Sequence, residues 1–468
     1  MTSLFLSAAH KSSGKTTLSI GLCAALVERG IDIQPFKKGP DYIDPIWLGI
    51  AAGKPCYNLD FFVAGRQETI DEYSYRGRSA DICLIEGNKG LHDGLDLDGS
   101  NSNAALAKAL HSPVIIVVDA RGTMRGIAPL LIGYQVFDKA VNIAGVIANM
   151  TGGKRHESKL RAAVEEYTDI PFLGALENDA SIGLDERHLG LIPGYEDLQS
   201  RQKISAIARA VNDNVDLEKL IEISHQAEPV KAARSPLPKT TDFRGLRIGI
   251  AEDRAFGFYY PGDLEAFRQA GAELVAVDTM RDKTLPAIDG LFIGGGFPER
   301  HAAALAANSS MRESIKSAIE NGLPCYAECG GLMYLSKHLV WNGETQPMVG
   351  VVDAVCVMSD KPQGRGYVKL NAIDSKHPWG PQARAGQNLH AHEFHYSALQ
   401  GLPDNTEFAY RVLRGEGIQQ QRDGFIYKNL LASYTHLRNT ASNPWVKQFL
   451  QHVQSNKAST PLDLANAL

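Results

Sequence analysis

"SLFLSAAHKSSGKTTLSIGLCAALVERG", residues 3–30, decides the fold of the first half of the chain. An apolar run of strand length leads into a polar loop. A helical pattern follows, with Leu18, Leu22, Ala25 and Leu26 on one face and Gly30 placed as a C-cap. The loop holds Gly14, Lys15, Thr16 and Thr17. Strand, loop and helix start together make the context of a phosphate site. Backbone N–H groups and the helix N-terminus face the phosphates, Lys15 reaches the β- and γ-phosphates, and the Thr16 hydroxyl binds Mg²⁺. The pattern G-x-x-x-x-G-K-[ST] asks for glycine where Ala9 stands.

Further along, "DICLIEG" (81–87), "PVIIVVDA" (113–120) and "NIAGVIANM" (142–150) are continuous apolar runs. Such runs suit a parallel sheet covered on both faces. Residues 1–225 therefore read as a doubly wound α/β domain. Residues 226–243 carry three prolines and little apolar periodicity, which predicts a linker. A second α/β domain is expected over 244–453, and a frayed polar tail over 454–468.

Several residues of the first domain are candidates for chemistry. Lys37 and Lys38 precede "GPDYIDP" (39–45), which holds Asp41 and Asp44. Carboxylates there suit Mg²⁺, and lysines suit an anionic substrate. Glu86 ends its apolar run at the sheet edge where open α/β folds meet ligand. Asn149 ends another and is placed to read a nucleotide base.

In the second half, "AECGGLMYL" (327–335) sets Cys329 between a carboxylate and two glycines. A strand, a tight turn and a helix would expose the sulfur as a nucleophile elbow does. A helix N-terminus favours thiolate. The amides of "IGGGFPE" (293–299), Gly295 and Gly296 among them, can donate to an oxyanion beside that of Gly330. "LASYTHL" (431–437) supplies a base, His436. Cys325 reads as packing. In "AHEFHYS" (391–397), strand alternation separates His392 from Glu393, so a metal site is not favoured.

Composition bounds the rest. Of 468 residues, 44% are apolar and 22% charged, ordinary for a globular protein of two to four domains at ~100–200 residues each. A net charge of −5 gives no basic field for nucleic acid. Six scattered cysteines suit a reducing cytoplasm. No apolar run approaches the ~20 residues of a membrane span, and the N-terminus does not read as a signal peptide.

An ATP-type site joined to a cysteine–histidine amidohydrolase suggests glutamine-dependent amidation. "PFKKGPDYIDP", "EGNKGLHDG", "VVDARG", "RHLGLIP", "FGFYYPGDLE", "GGGFPE", "AECGGLMYL", "HEFHYS" and "LASYTHL", spread over residues 3–446, together resemble the cobyrinate a,c-diamide synthase family. The first domain is similar to dethiobiotin synthetase, a P-loop fold. The second is similar to a class I glutamine amidotransferase. The resemblance implies an ATP- and glutamine-dependent ligase that amidates the a and c acetates of a tetrapyrrole. It implies Cys329 as nucleophile and His436 as base. Lys15, Thr16 and Glu86 fall on nucleotide and Mg²⁺ positions, with Asp41 beside them, and Asp41, Tyr42 and Asp44 on the acceptor segment. Lys37, Lys89 and Asp93 complete the expected acceptor contacts. The expected partners are small molecules, with neither nucleic acid nor membrane, and a homodimer is one expected assembly.

Two departures stand out. Class I glutaminases carry His-x-Glu, whereas His436-Leu437-Arg438 stands here, leaving Glu393 or a backbone carbonyl to orient the imidazole. Asn88, Lys89 and His92 replace more usual residues, which admits a sirohaem-type acceptor beside cobyrinate. Cobyric acid synthase-like amidation is the nearest alternative among enzymes. A non-catalytic P-loop ATPase switch with a degenerate glutaminase domain is the alternative outside them.

Overall fold

The computed structural model describes residues 2–184, 186–187, 190–197, 199–230, 242–373, 377–379 and 388–459. The chain divides into two compact units. One is Met1–Phe61 with Gly65–Pro236, the other Phe62–Ala64 with Leu237–Leu468.

The first unit is built on seven strands: β1 (Thr2–Ala8), β2 (Ile33–Lys38), β3 (Tyr57–Leu59), β4 (Ile82–Gly90), β5 (Val114–Asp119), β6 (Ile143–Thr151) and β7 (Phe172–Glu177). They lie in the order β3-β2-β4-β1-β5-β6-β7, and every pairing is parallel. The apolar runs are buried without alternation, because helices cover both faces. Strand order reverses at β1, so a crevice opens outside the C-terminal ends of β1 and β4. The helix Lys15–Glu28 starts there and is buried from Leu18 to Leu26. A Cβ on Gly21 would stand 2.5 Å from a Val211 methyl, so only glycine lets the helix Ser200–Asn214 pack this closely. Gly30 follows the last helical turn at φ 79°, the left-handed value expected of it.

The second unit holds a nine-stranded sheet. Its strands are β8 (Arg247–Ala251), β9 (Glu273–Val277), β10 (Gly290–Ile293), β11 (Cys325–Glu328), β12 (Gly364–Ala372), β13 (Asn388–His395), β14 (Glu407–Arg414), β15 (Arg422–Tyr427) and β16 (Leu430–Ser433). The order is β9-β8-β10-β11-β16-β15-β14-β12-β13. The first five are parallel and the rest antiparallel. A four-stranded sheet of Ser336–Trp341, Glu344–Pro347, Val352–Met358 and Ser397–Gln400 lies beside it in the chain.

The expectation for the tail is corrected at its start. The helix Trp445–Ser459 runs past residue 454 because its inner face is anchored: Val453 is buried, Asn456 Oδ1 accepts from Asn429 Nδ2 (3.0 Å), and Lys457 Nζ donates to Gly245 O (2.9 Å). Residues 460–468 lie outside the described residues. The proline-rich segment is tethered at both ends, since Val230 packs on the first core and Phe243 is fully buried in the second, while 231–241 lie outside the described residues.

Trp445 is the keystone of the second core. It is fully buried against Phe267, Phe292 and Tyr326, and its Nε1 donates to Asp263 Oδ2 at 2.9 Å. Truncation to alanine leaves a cavity and an unsatisfied carboxylate. Trp445→Ala should cost about 3–5 kcal/mol in unfolding of this unit, whereas Lys457→Ala, half exposed, should cost under ~1 kcal/mol. Denaturant titration of both variants measures this, and equal losses would contradict the assignment.

Candidate active sites

In the first unit, the loop between β1 and its helix makes its left-handed turns at Ser12 (φ 63°) and Gly14 (φ 78°). Residue 9 makes no such turn. Ala9 instead extends β1, its N–H donating to Val117 O and its carbonyl accepting from Tyr134 Oη at 2.6 Å. That is why alanine is tolerated where the phosphate-loop pattern has glycine. Lys15 is buried, and its ammonium is disfavoured first by that burial and then by Lys37. Thr17 lies in the first helical turn, partly buried.

Beneath the loop lies a charged cluster. Thr16 Oγ1 donates to Glu86 Oε1 (2.7 Å) and to Asp44 Oδ2 (3.2 Å). Lys37 Nζ reaches Asp44 Oδ2 at 2.5 Å, Glu86 Oε1 at 2.8 Å and Asp41 Oδ2 at 3.7 Å. Burial works against the Lys37 charge, but the carboxylates outweigh it and hold its pKa well above the usual lysine range. Lys37 is thus a buried counter-ion to three carboxylates, a partner set that its expected role as an acceptor contact did not include. Asp41 is pushed up to about 7 by burial and by Asp44. Asp44 is held low; burial opposes this, but Lys37 prevails. Glu86 is fully buried, and its Oε2 has no hydrogen-bond partner among the described residues.

The segment 39–44 is braced by its neighbours. Asp41 Oδ1 accepts from the Ile43 and Asp44 amides, Tyr42 is buried at the start of the helix Ile43–Ala52, and Asn58 Nδ2 donates to Gly39 O and Asp41 O. Lys38 is buried with its Nζ on Asn101, and burial brings it down to about 8. At the end of β4, Lys89 is exposed and Asp93 Oδ2 accepts from Gly90 N (3.0 Å). Asn103, which sequence reasoning missed, clamps this turn: it accepts from Asn88 N and donates to Gly90 O. Asn149 Nδ2 donates to Ser13 O at 2.9 Å, so the end of β6 braces the phosphate loop, a contact that sequence reasoning did not foresee.

In the second unit, the candidate residues converge on the C-terminal ends of three neighbouring strands. Gly295 and Gly296 follow β10, Cys329 follows β11, and His436 follows β16. Cys329 holds φ 48° and ψ −100°, a conformation costing on the order of 1–3 kcal/mol for a residue with a Cβ. Its N–H donates to Ser433 O at 2.7 Å, which fixes the turn to β16. Glycine is required around it. A Cβ on Gly331 would lie 2.3 Å from Ile293 O, and one on Gly330 3.0 Å from Gly296 N. A Cβ on Gly295 would meet His436 Cε1 at 2.7 Å.

Burial, then Glu299, pushes the thiol well up, opposite in direction to the effect expected of a helix N-terminus, and the Gly330 N–H only partly opposes this. The following helix, Gly330–Leu335, is too short to offset burial. A base must therefore take the proton. His436 is buried, pairs its backbone with His392 and stacks on that ring at 4.8 Å. Burial, then His436, holds His392 well below its usual pKa.

Glu393 does not orient His436. Its two oxygens accept from Glu416 N and Gly417 N, and its ring neighbour is His395 at 3.8 Å, because β13 turns it to the far face. Glu328 stands at the imidazole instead, with Oε2 at 3.5 Å from His436 Nδ1. Sequence reasoning missed it, although a carboxylate ending a buried strand in "CYAEC" is itself a signal. Cys325 is buried packing, as expected. Among the described residues no group of three or more His, Cys, Asp or Glu is arranged to hold a metal ion as it stands: neither the "HEFHYS" strand nor the expected Asp41 and Glu86 with Asp44, whose oxygens converge on Lys37. No helix among them is long and apolar enough to cross a membrane.

Residues 7–192 match the CobQ/CobB/MinD/ParA nucleotide binding domain family, and residues 247–444 match the CobB/CobQ-like glutamine amidotransferase domain family. The cobyrinate a,c-diamide synthase of Magnetococcus marinus is 44% identical over 94% of this chain and 95% of its own. That of Methanosarcina acetivorans is 40% identical over 94% and 92%, and that of Listeria innocua 39% over 93% and 96%. With a phosphate loop in one unit, a strained cysteine turn in the other and whole-length identity at this level, the chain belongs to the cobyrinate a,c-diamide synthase family of glutamine-hydrolysing amidotransferase ligases.

Proposed function

We propose that this protein amidates the a and c acetate carboxylates of a cobyrinate-type tetrapyrrole, with ATP as activator and glutamine as nitrogen donor. The observation that carries the reading is the convergence of Cys329, the Gly295–Gly296 backbone and His436 on adjacent strand ends of a single sheet. Glutamine binds there. His436 takes the thiol proton, and the sulfur attacks the carboxamide carbon. Charge gathers on the carbonyl oxygen, where the backbone N–H groups of Gly296 and Gly330 are the candidate donors. The C–N bond breaks as His436 returns the proton to the leaving nitrogen, releasing ammonia. Water then hydrolyses the thioester to glutamate.

In the nucleotide-binding unit, the acceptor carboxylate attacks the γ-phosphorus and ADP leaves. Ammonia displaces phosphate from the resulting acyl phosphate. Lys15 and the loop amides stabilise the charge on the phosphoryl oxygens. The residues present suit Mg²⁺: the Thr16 hydroxyl, the orphaned Glu86 oxygen and the Asp41 and Asp44 carboxylates are hard oxygen donors. Such an ion would neutralise charge on the β- and γ-phosphates, and Lys37 would yield part of its contact to it. Lys89 at the exposed end of β4 and Asp93 beside it are the acceptor-side contacts. Six free cysteines fit a cytoplasmic setting.

A stimulation assay tests the reading. ATP turnover should rise on adding a tetrapyrrole bearing free acetates, and failure of every such acceptor would remove the proposal. Cys329→Ala should lower glutamine-dependent amidation by roughly 10⁴-fold or more, yet leave amidation from high ammonia intact. Equal loss from both nitrogen sources would mean that Cys329 is structural. Lys15→Ala should slow both reactions together, by about 10²–10³-fold. Ammonia-dependent synthesis at the wild-type rate in that variant would contradict the phosphate-loop assignment.

A further inference from the structure

Glu328 is the residue before the nucleophile, and it is 2% exposed. A buried carboxylate is costly unless each oxygen finds donors. Its Oε1 accepts from Tyr326 Oη (2.5 Å) and from the Leu437 amide (2.8 Å). Its Oε2 lies 3.5 Å from His436 Nδ1. The same carboxylate therefore holds the backbone just after His436 and meets the imidazole itself. From the other side, Asp423, fully buried, accepts from the Tyr434 and Thr435 amides. The segment Tyr434–Leu437 is thus held at both ends by buried carboxylates, and only Glu328 reaches the ring.

We propose that Glu328 is the positioning residue of the glutaminase centre, in the role that His-x-Glu enzymes give to a glutamate two residues after the histidine. This rests on the reading of Cys329 as nucleophile and His436 as base. The carboxylate keeps the proton on Nδ1, which leaves Nε2 as the base, and it stabilises the imidazolium while the thioester forms. The geometry explains how Arg438 can stand where that glutamate would be: the carboxylate comes from β11, where Glu328 is the strand partner of Ser433 at the end of β16. The groups that face the imidazole are Glu328 from β11, the stacked His392 from β13, and Gly295 after β10.

The test uses the full-length enzyme with Glu328→Gln, Glu328→Asp and, in parallel, Cys329→Ala. Glu328→Gln keeps an oxygen for the Leu437 amide but removes the charge. Its glutaminase kcat should fall roughly 10²–10⁴-fold with KM for glutamine unchanged. A purely structural role would raise KM together with any loss of kcat, and that result would overturn the proposal. Ammonia-dependent amidation should persist at the wild-type rate. Wild-type kcat in Glu328→Gln would also overturn it. If that variant fails to fold by circular dichroism, Glu328→Asp decides. It keeps the charge on a shorter arm, so a lowered kcat at unchanged KM supports the role, and wild-type kcat overturns it. Should Cys329→Ala retain glutaminase activity, the underlying nucleophile reading fails and not the Glu328 assignment alone.

Discussion

The turn at Cys329 is the constraint on which the second unit is organised. A residue with a Cβ is held at φ 48° and ψ −100° because the chain must leave β11 and enter a helix within one residue. The backbone of β10 closes in from one side and that of β16 from the other. Gly331 is required because Ile293 O approaches closer than any side chain permits, and Gly330 is favoured because Gly296 N leaves only 3.0 Å for a Cβ. Gly296 is required in turn because Ala255 O stands 2.0 Å from where its Cβ would be. The strain is offset by a dense apolar core beneath it, in which Leu332, Tyr334 and Leu335 are fully buried. The result is a buried sulfur whose Sγ meets Phe394 O at 3.9 Å, on a turn that lies beside the strand end leading to His436.

The first unit solves a different electrostatic problem. Asp41, Asp44 and Glu86 are gathered under a phosphate loop, where three carboxylates repel one another and would repel a nucleotide. Lys37 neutralises part of that charge, and Asp41 is drawn toward its protonated form. Glu86 Oε2 is left without a hydrogen-bond partner among the described residues, while the Thr16 hydroxyl donates to the other oxygen, Oε1. Asn103, Asn58 and Asn149 hold the surrounding turns by amide contacts alone, without adding charge.

Much of this was legible in the sequence. The parallel halves of both sheets follow from unalternated apolar runs, and Gly14–Thr17, Glu86, Cys329 and His436 stand out by residue type and context. What was not legible depends on contacts distant in sequence. The antiparallel extension β12–β15 comes from strands of mixed polarity that carry little periodic signal. The partners of Asn149 and Lys37, Ser13 and Glu86, were not legible because they lie 136 and 49 residues away. Nor was the burial that opposes the helix start at Cys329, since only the tertiary fold creates it. Glu328 was overlooked because adjacent strand residues are expected on opposite faces, and the left-handed turn at Cys329 breaks that expectation. It lets consecutive residues serve one centre.

The central claim is that nitrogen passes from glutamine to an activated carboxylate within this one protein. Isotope transfer measures it most directly: glutamine labelled with ¹⁵N at the carboxamide, ATP and cobyrinate are incubated together, and the product is read by mass spectrometry. The account predicts ¹⁵N in each new amide, with one phosphate released for each. Amides that carry unlabelled nitrogen, or glutamine hydrolysed with no amide formed while ATP is consumed, would contradict it.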